Sequence, residues 1–215
     1  VTTLGKLVSQ FPLEPRLGKL IVGSKKLDIV EYAIILAAGL DVREPFISNK
    51  KPQEALISKR GDPFTLLNVF GAYLWEKDKE KFCRENNVRI KAMEEIQQIR
   101  QQITTIIWKT DKECLKSGLA GKIEPKAGIE TLLAFCLFNS FCDHVAIHDG
   151  KGNMYTTADN KKCEIPGNSC LFDKKAKYIT YISIDEKNDQ KRFNSVTKIL
   201  PNWINQVGSK LYLNR

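Results

Sequence analysis

The side chains suited to chemistry are few and scattered. Six cysteines stand at positions 83, 114, 136, 142, 163 and 170, and two histidines at 144 and 148. No Cys-x-x-Cys pair occurs, and only Cys142 lies close to the histidines, so no four-ligand zinc pattern forms. Cys136 sits inside an apolar helical run. That points to free, buried thiols in a reducing compartment rather than a disulfide framework. Asp143, His144 and Asp149 could supply acid–base chemistry, but no Ser or Cys nucleophile has a recognisable setting beside them. Glu94 and Glu95 are neighbours on a helix and point in different directions. No string matches a P-loop or a GxSxG elbow. Gly150-Lys151-Gly152 lacks the third glycine of a dinucleotide fingerprint and sits in a turn. What remains is basic residues near aromatic ones. Arg89, Lys91 and Arg100 fall on one long helix, and Lys174, Lys175 and Lys177 precede a strand that opens on Tyr178. Such groups grip phosphates or stack on bases. The plainer alternative is a solvated charged face.

The chain that carries them has 215 residues, 34 Lys and Arg against 25 Asp and Glu, and a formal charge of +9. The excess is spread along its whole length. It suits a phosphate backbone, or an acidic protein, without proving either. Hydrophobic residues at 42% and charged residues at 27% are an ordinary globular mixture. They exclude disordered and collagen-like classes. No apolar run approaches the roughly 18 residues of a membrane span, so no membrane partner is expected. The opening residues lack a signal-peptide pattern, and a first residue of Val suggests a piece of a longer chain.

Periodicity predicts the elements that position these residues. Phe11-Pro12-Leu13-Glu14-Pro15 is a rigid turn. A helix over Arg16 to Lys26 is predicted from Leu17, Leu20, Ile21 and Leu27 at helical spacing. Asp28 and Glu31 have capping-box spacing before a second, nearly all-apolar helix, Ile29 to Leu40. Ser48 to Asp62 reads as a loop with room for a short helix. Pro63 opens a third helix as its first residue, and Asp78 to Asn87 reads as a charged connection. Val88 to Trp108 is a long amphipathic helix, with Met93, Ile96, Ile99, Ile103, Ile106 and Ile107 recurring every three or four residues. Lys112 to Lys126 breaks the pattern, and Ile129 to Phe138 is a further buried helix. Beyond His144 the composition changes to β-branched and aromatic runs, Tyr155 to Thr157 and Tyr178 to Ile184, punctuated by turn residues. A short helix around Pro201-Asn202-Trp203 closes the chain. The fold class is therefore α+β, with a helical unit over residues 1–148 and a β-rich unit over 149–215.

Several strings resemble the helicase-associated region of DEAH-box RNA helicases. Leu4-Gly5-Lys6 with Phe11 to Leu20 is similar to its start. Glu44-Pro45-Phe46, Thr65 to Phe70, Phe82 to Asn86 and Ile99 to Ile103 follow in the family's order. Ile165 to Phe172 and Val196 to Ile204 complete it, so the resemblance covers essentially the whole chain. Within the family, Val88 to Ile96 and Asp143 to Ala146 are closer to the helicase of small-subunit ribosome biogenesis than to the splicing helicases, which are the alternative subgroup. The family's His-Pro-Ser-Ser is here Pro166-Gly167-Asn168-Ser169, so only Ser169 aligns well.

The resemblance implies a helical bundle called the ratchet domain, then an OB-fold-like barrel. It implies that both pack on RecA-like motor domains and a winged-helix domain of the same parent chain, lining a channel for single-stranded RNA such as pre-rRNA or an associated small RNA. ATP and Mg2+ are implied for those motor domains, with no cofactor, metal or catalytic residue in this segment. On that reading Arg89, Lys91 and Arg100 of the long helix, and Ser169, Lys174, Lys175 and Lys177 of the barrel, would contact RNA. Tyr155 and Tyr178 would add stacking faces. A nuclear, and within it nucleolar, location follows from the subgroup. Two other readings stand beside this one. One is a platform that docks an activator protein without binding RNA; the other, less well supported, is an independent enzyme.

Overall fold

The structure, a computed structural model, describes residues 8–47, 50–111, 113, 115, 128–187 and 189–207. Val1 to Leu7 lies outside the described residues, as does nearly all of the Lys112 to Lys126 segment. Helix α1 (Pro15–Ser24) starts on a proline, whose missing N–H costs nothing in a first turn, and buries Leu17, Leu20 and Ile21. The N-cap expected at Asp28 falls one residue later. A short 3-10 turn, Lys25–Leu27, ends on Asp28 in the left-handed conformation (φ 59°), and Ile29 becomes the N-cap of α2 (Val30–Asp41). Asp tolerates that backbone region better than most residues. Helix α2 is buried almost all round, as its apolar circumference requires, and packs against α1, α3 and α5.

Helix α3 (Asp62–Trp75) is capped by Gly61, which makes Pro63 its second residue rather than its first. The charged stretch after it is also helical. Asp78 accepts a hydrogen bond from the Lys81 N–H and so caps α4 (Lys79–Glu85), supported by the pairs Glu80–Arg84 and Lys81–Glu85. A cap and two i,i+4 pairs favour helix strongly enough to override its lack of apolar periodicity. The long helix α5 runs Ile90–Asp111, and α6 runs Ile129–Ser140.

Five strands follow: β1 (Val145–His148), β2 (Met154–Thr157), β3 (Lys162–Glu164), β4 (Tyr178–Lys187) and β5 (Gln190–Lys198). Strand β1 occupies the four residues before the boundary that composition suggested. The strands close a barrel in the order β1-β2-β3-β5-β4, antiparallel except at the β3–β5 seam. A closed barrel leaves no sheet edge unpaired, and five strands in this order match an OB-type barrel. Its interior is an aromatic column. His148 packs edge-on to Tyr155, Tyr155 on Phe193, Phe193 on Tyr181, and Tyr181 stacks on His144 at 4.9 Å. Both histidines thus cap the barrel core. The α+β class holds, with a helical domain followed by a small barrel. Helix α7 (Pro201–Val207) then returns to the helical domain, where Trp203 meets Phe135 edge-on.

Two devices fix the barrel to the helices. The Asp62 carboxylate, at the first turn of α3, accepts hydrogen bonds from the Ser169 hydroxyl (2.9 Å), the Cys170 N–H (2.8 Å) and the Val196 N–H (3.1 Å). Burial pushes this carboxyl up from its ordinary range, and the donors from Cys170, Val196 and Ser169 pull it back. Next to it Gly61 bridges to Thr197, so close that a Cβ would lie 2.7 Å from the Thr197 Cα and against the Val196 carbonyl oxygen. The second device is a bidentate ion pair from Arg16 to Asp143 at 2.6 and 2.8 Å.

Asp62→Ala orphans two backbone donors and a hydroxyl, and is expected to cost about 3 kcal/mol or more in urea unfolding. Gly61→Ala is expected to be at least as damaging to the melting temperature, because the clash is with backbone and cannot relax through a rotamer. The Arg16 pair behaves differently. Arg16 holds the Asp143 carboxyl below its ordinary value, so the pair's contribution is present above about pH 4 and is lost as pH falls through the folded value. Both side chains are part-exposed, so Arg16→Ala should cost about 0.5–1 kcal/mol at pH 7. Once Asp143 is protonated the cost should shrink to what the guanidinium gains over the Phe141 ring, 5.5 Å away.

Candidate nucleic-acid interface

Helix α5 divides the residues expected to contact RNA. Arg89 lies just ahead of it, exposed, with its guanidinium 3.1 Å from the Glu44 carboxylate. Lys91 is exposed in the first turn. Arg100 is only 6% exposed. On a helical wheel it falls among Met93, Ile96, Ile103 and Ile107, at spacings of 3, 4 and 7 residues. Burial accordingly lowers its pKa, against the pull of Glu31. Its expected place on an RNA-facing surface is therefore corrected, and Arg100 is a core residue of the helical domain. Periodicity alone could have shown this.

The exposed face of α5 is a different set. Lys91, Glu95, Gln98, Gln102, Thr105 and Lys109 repeat at 4, 3, 4, 3 and 4 residues, and all are exposed, as is Glu94 beside them. Gln101 and Trp108, the latter 41% exposed, flank the stripe. Gln10 and Pro12, from the turn ahead of α1, complete a groove of about 560 Å3 over Gln98, Gln101, Gln102, Thr105 and Ile106. Sequence reasoning passed over these glutamines because it searched for charge. Their signal was the uncharged middle, Gln98 to Thr105, of the exposed face opposite the isoleucine stripe.

The barrel sorts its candidates in the same way. Tyr155 is 1% exposed and sits in the aromatic column, so it offers no face to a base. Burial raises its phenol, against the pull of the Ala176 backbone. Ser169 is 4% exposed, and its hydroxyl is spent on Asp62. Both are corrected from contact residues to structural ones. Lys174, Lys175 and Lys177 are exposed, and the Lys177 ammonium stands 5.3 Å from the centre of the half-buried Tyr178 ring. Lys151 joins them. Its β1–β2 turn is tied to theirs by two Asn153–Asp173 hydrogen bonds, 2.8 and 2.7 Å, while the His148 N–H donates to the Lys177 carbonyl. The result is a four-lysine cluster at one end of the barrel, on loops held in place by side-chain bonds.

No cluster of His, Cys, Asp and Glu that could hold a metal ion occurs among the described residues. The five described cysteines are free, and all but Cys142 are buried. Burial pushes the Cys136 thiol up to about 11, which makes it inert.

A helical domain with one long exposed helix, followed by a closed five-strand barrel, is the arrangement that the resemblance implied. Residues 14–101 match the family described as helicase associated domain (HA2), ratchet-like. The chain thus carries a helicase-associated region similar to that of DEAH-box RNA helicases. It is 27% identical over 215 residues to ATP-dependent RNA helicase DHX33 of Drosophila melanogaster, covering 96% of this chain and 29% of that protein. To a protein of Schizosaccharomyces pombe named as an ATP-dependent RNA helicase it is 26% identical over 262 residues, covering 99% of this chain and 22% of the other. The chain spans less than a third of the length of either relative.

The two arginine and lysine positions on α5 should separate cleanly. Lys91→Ala should lower the slope of log K against log salt for single-stranded RNA by about 0.7, the contribution of one phosphate contact. Arg100→Met keeps the apolar stem and should leave that slope unchanged.

Proposed function

We propose that this chain is the RNA-gripping, motor-regulating part of an ATP-dependent DEAH-box RNA helicase. The observation that carries the reading is the exposed face of α5, with Lys91 near one end and Lys109 near the other, on a helix whose N-terminal half lies within the residues that match a ratchet-like helicase-associated domain. Lys91 and Lys109 are 18 residues apart, about 27 Å along the helix. That length suits several nucleotides of an extended strand. The Lys151, Lys174, Lys175 and Lys177 cluster supplies a second grip, with Tyr178 and Lys177 as a combined ring and charge. Mobile lysines on ordered loops bind phosphates without reading sequence.

In this reading ATP and Mg2+ act on the RecA-like motor domains of the parent protein. This chain contributes one wall of the channel through which single-stranded RNA is drawn, and it packs on the motor and winged-helix domains. The substrate is pre-rRNA or an associated small RNA, the process is small-subunit ribosome biogenesis, and the place is the nucleolus. The resemblance of Val88 to Ile96 and of Asp143 to Ala146 supports that subgroup over the splicing helicases. A platform for an activator protein is favoured by a separate observation, the exposed Trp75 at the end of α3, more than half accessible.

The Lys174→Ala, Lys175→Ala and Lys177→Ala triple variant tests the reading. It should weaken single-stranded RNA binding and reduce the salt slope by about two, at roughly 0.7 for each lost contact. No RNA binding by the chain at low salt, with an activator protein still captured through Trp75, would support the platform instead. Crosslinked RNA recovered from cells should be pre-rRNA for the subgroup assignment to stand, and spliceosomal RNA would overturn it.

A further inference from the structure

The groove over the middle of α5 differs in kind from the lysine cluster. It lies between Lys91 and Lys109, and among its lining residues there is no charge. The lining offers the amides of Gln10, Gln98, Gln101 and Gln102, one hydroxyl at Thr105, and an apolar floor from Pro12 and Ile106. A surface helix normally carries charges on its solvated face. Here the only charged residue between Ile96 and Trp108 is Arg100, and it is buried.

The hydrogen-bonding state of Thr105 narrows what can sit there. Its hydroxyl donates to the Gln101 carbonyl at 2.8 Å. The single proton is therefore used, and the oxygen can offer a ligand only its lone pairs. A phosphate oxygen is an acceptor and gains nothing from that atom. A ribose 2′-OH can donate to it, and can also accept from a neighbouring amide N–H. Each glutamine likewise offers donors and an acceptor side by side, the complement of a group that does both. A 2′-OH is what lets a protein tell RNA from DNA at a given site. The apolar floor suits a sugar or base face. Lys109 suits a flanking phosphate at one end, and at the other the exposed Glu94 and Glu95 stand between the groove and Lys91.

We propose that the groove formed by Gln10, Pro12, Gln98, Gln101, Gln102 and Thr105 reads the ribose 2′-hydroxyls of a single strand, and so makes the chain prefer RNA over DNA without adding to its salt dependence. The inference rests on the RNA-gripping reading above and goes beyond it, because that reading needs only phosphate contacts. The physical consequence is a division of labour. Lysines at the ends and on the barrel hold the strand by charge, and the neutral middle discriminates by hydrogen bonding.

Fluorescence anisotropy with the 215-residue chain, using uridine 12-mers in ribose, deoxyribose and 2′-O-methyl forms across a salt series, tests this. The unmodified chain should bind the ribose strand at least about fivefold more tightly than the deoxyribose strand, as one or more hydrogen bonds would provide. The 2′-O-methyl strand, which has lost its donor, should fall with the deoxyribose strand. Gln98→Ala with Gln102→Ala should collapse the preference towards one while leaving the salt slope unchanged. Thr105→Val, nearly the same shape, should reduce it without touching any amide, and circular dichroism should show each variant folded. Lys91→Ala should do the opposite, lowering the slope and keeping the preference. A ribose preference that survives the Gln98, Gln102 and Thr105 changes overturns the inference and leaves the RNA-gripping reading intact. Equal binding of ribose and deoxyribose strands by the unmodified chain does the same. Failure to bind any strand overturns both.

Discussion

The Asp62 carboxylate is the point on which the arrangement of the two domains turns. It sits in the first turn of α3, where the helix dipole favours a negative charge, and it has been drawn away from water. Such a group is tolerated only when its lone pairs are met. The donors that meet them come from Ser169 and Cys170, between β3 and β4, and from Val196 on β5. These are more than 100 residues away in sequence. Satisfying one carboxylate therefore fixes where the barrel lies on the helical domain. Gly61 allows the backbones to meet at that place. Ser58 and Arg60 extend the contact to α6 through Glu130 and Thr131.

That joint explains what the barrel can present. The segment from Pro166 to Lys177 is anchored at one end by Asp62 and tied along its length to the β1–β2 turn by Asn153 and Asp173. The lysines it carries are thus exposed on an ordered base. Ser169 was a contact candidate by alignment and is instead a strut. Its bond to Asp62 helps to place the loop that carries Lys174, Lys175 and Lys177. The middle of α5, from Gln97 to Ile107, has no charge but the buried Arg100.

Much of the helical domain was legible in the sequence, because amphipathic helices write their buried face at a fixed period. The extents of α1, α2, α5 and α6 follow from it within a few residues. Arg100 shows the limit of reading residue type before phase. A basic residue drew attention as a phosphate ligand, although its spacing to Ile96, Ile103 and Ile107 already placed it on the core side. Helix α4 was missed because its evidence is a cap and two ion pairs, and neither is a periodic signal. The N-cap moved from Asp28 to Ile29 because a preceding 3-10 turn ends on Asp28. Tyr155 illustrates the matching difficulty in strands. In a four-residue strand alternation gives two faces but does not say which one is inside.

By itself the sequence determined the α+β class, the buried faces of the long helices, the dispersal of positive charge and the resemblance to the helicase-associated region. These depend on local period, composition and the order of short strings, all of which are written along the chain. Only the tertiary structure decided which polar residues remain available to a ligand. Closure of the barrel took Tyr155 into an aromatic core, and the buried carboxylate of Asp62 claimed Ser169. The packing of α5 on α2 removed Arg100 and left its glutamines facing outward. Availability depends on what the rest of the chain covers, and that is a property of contacts between residues far apart in sequence.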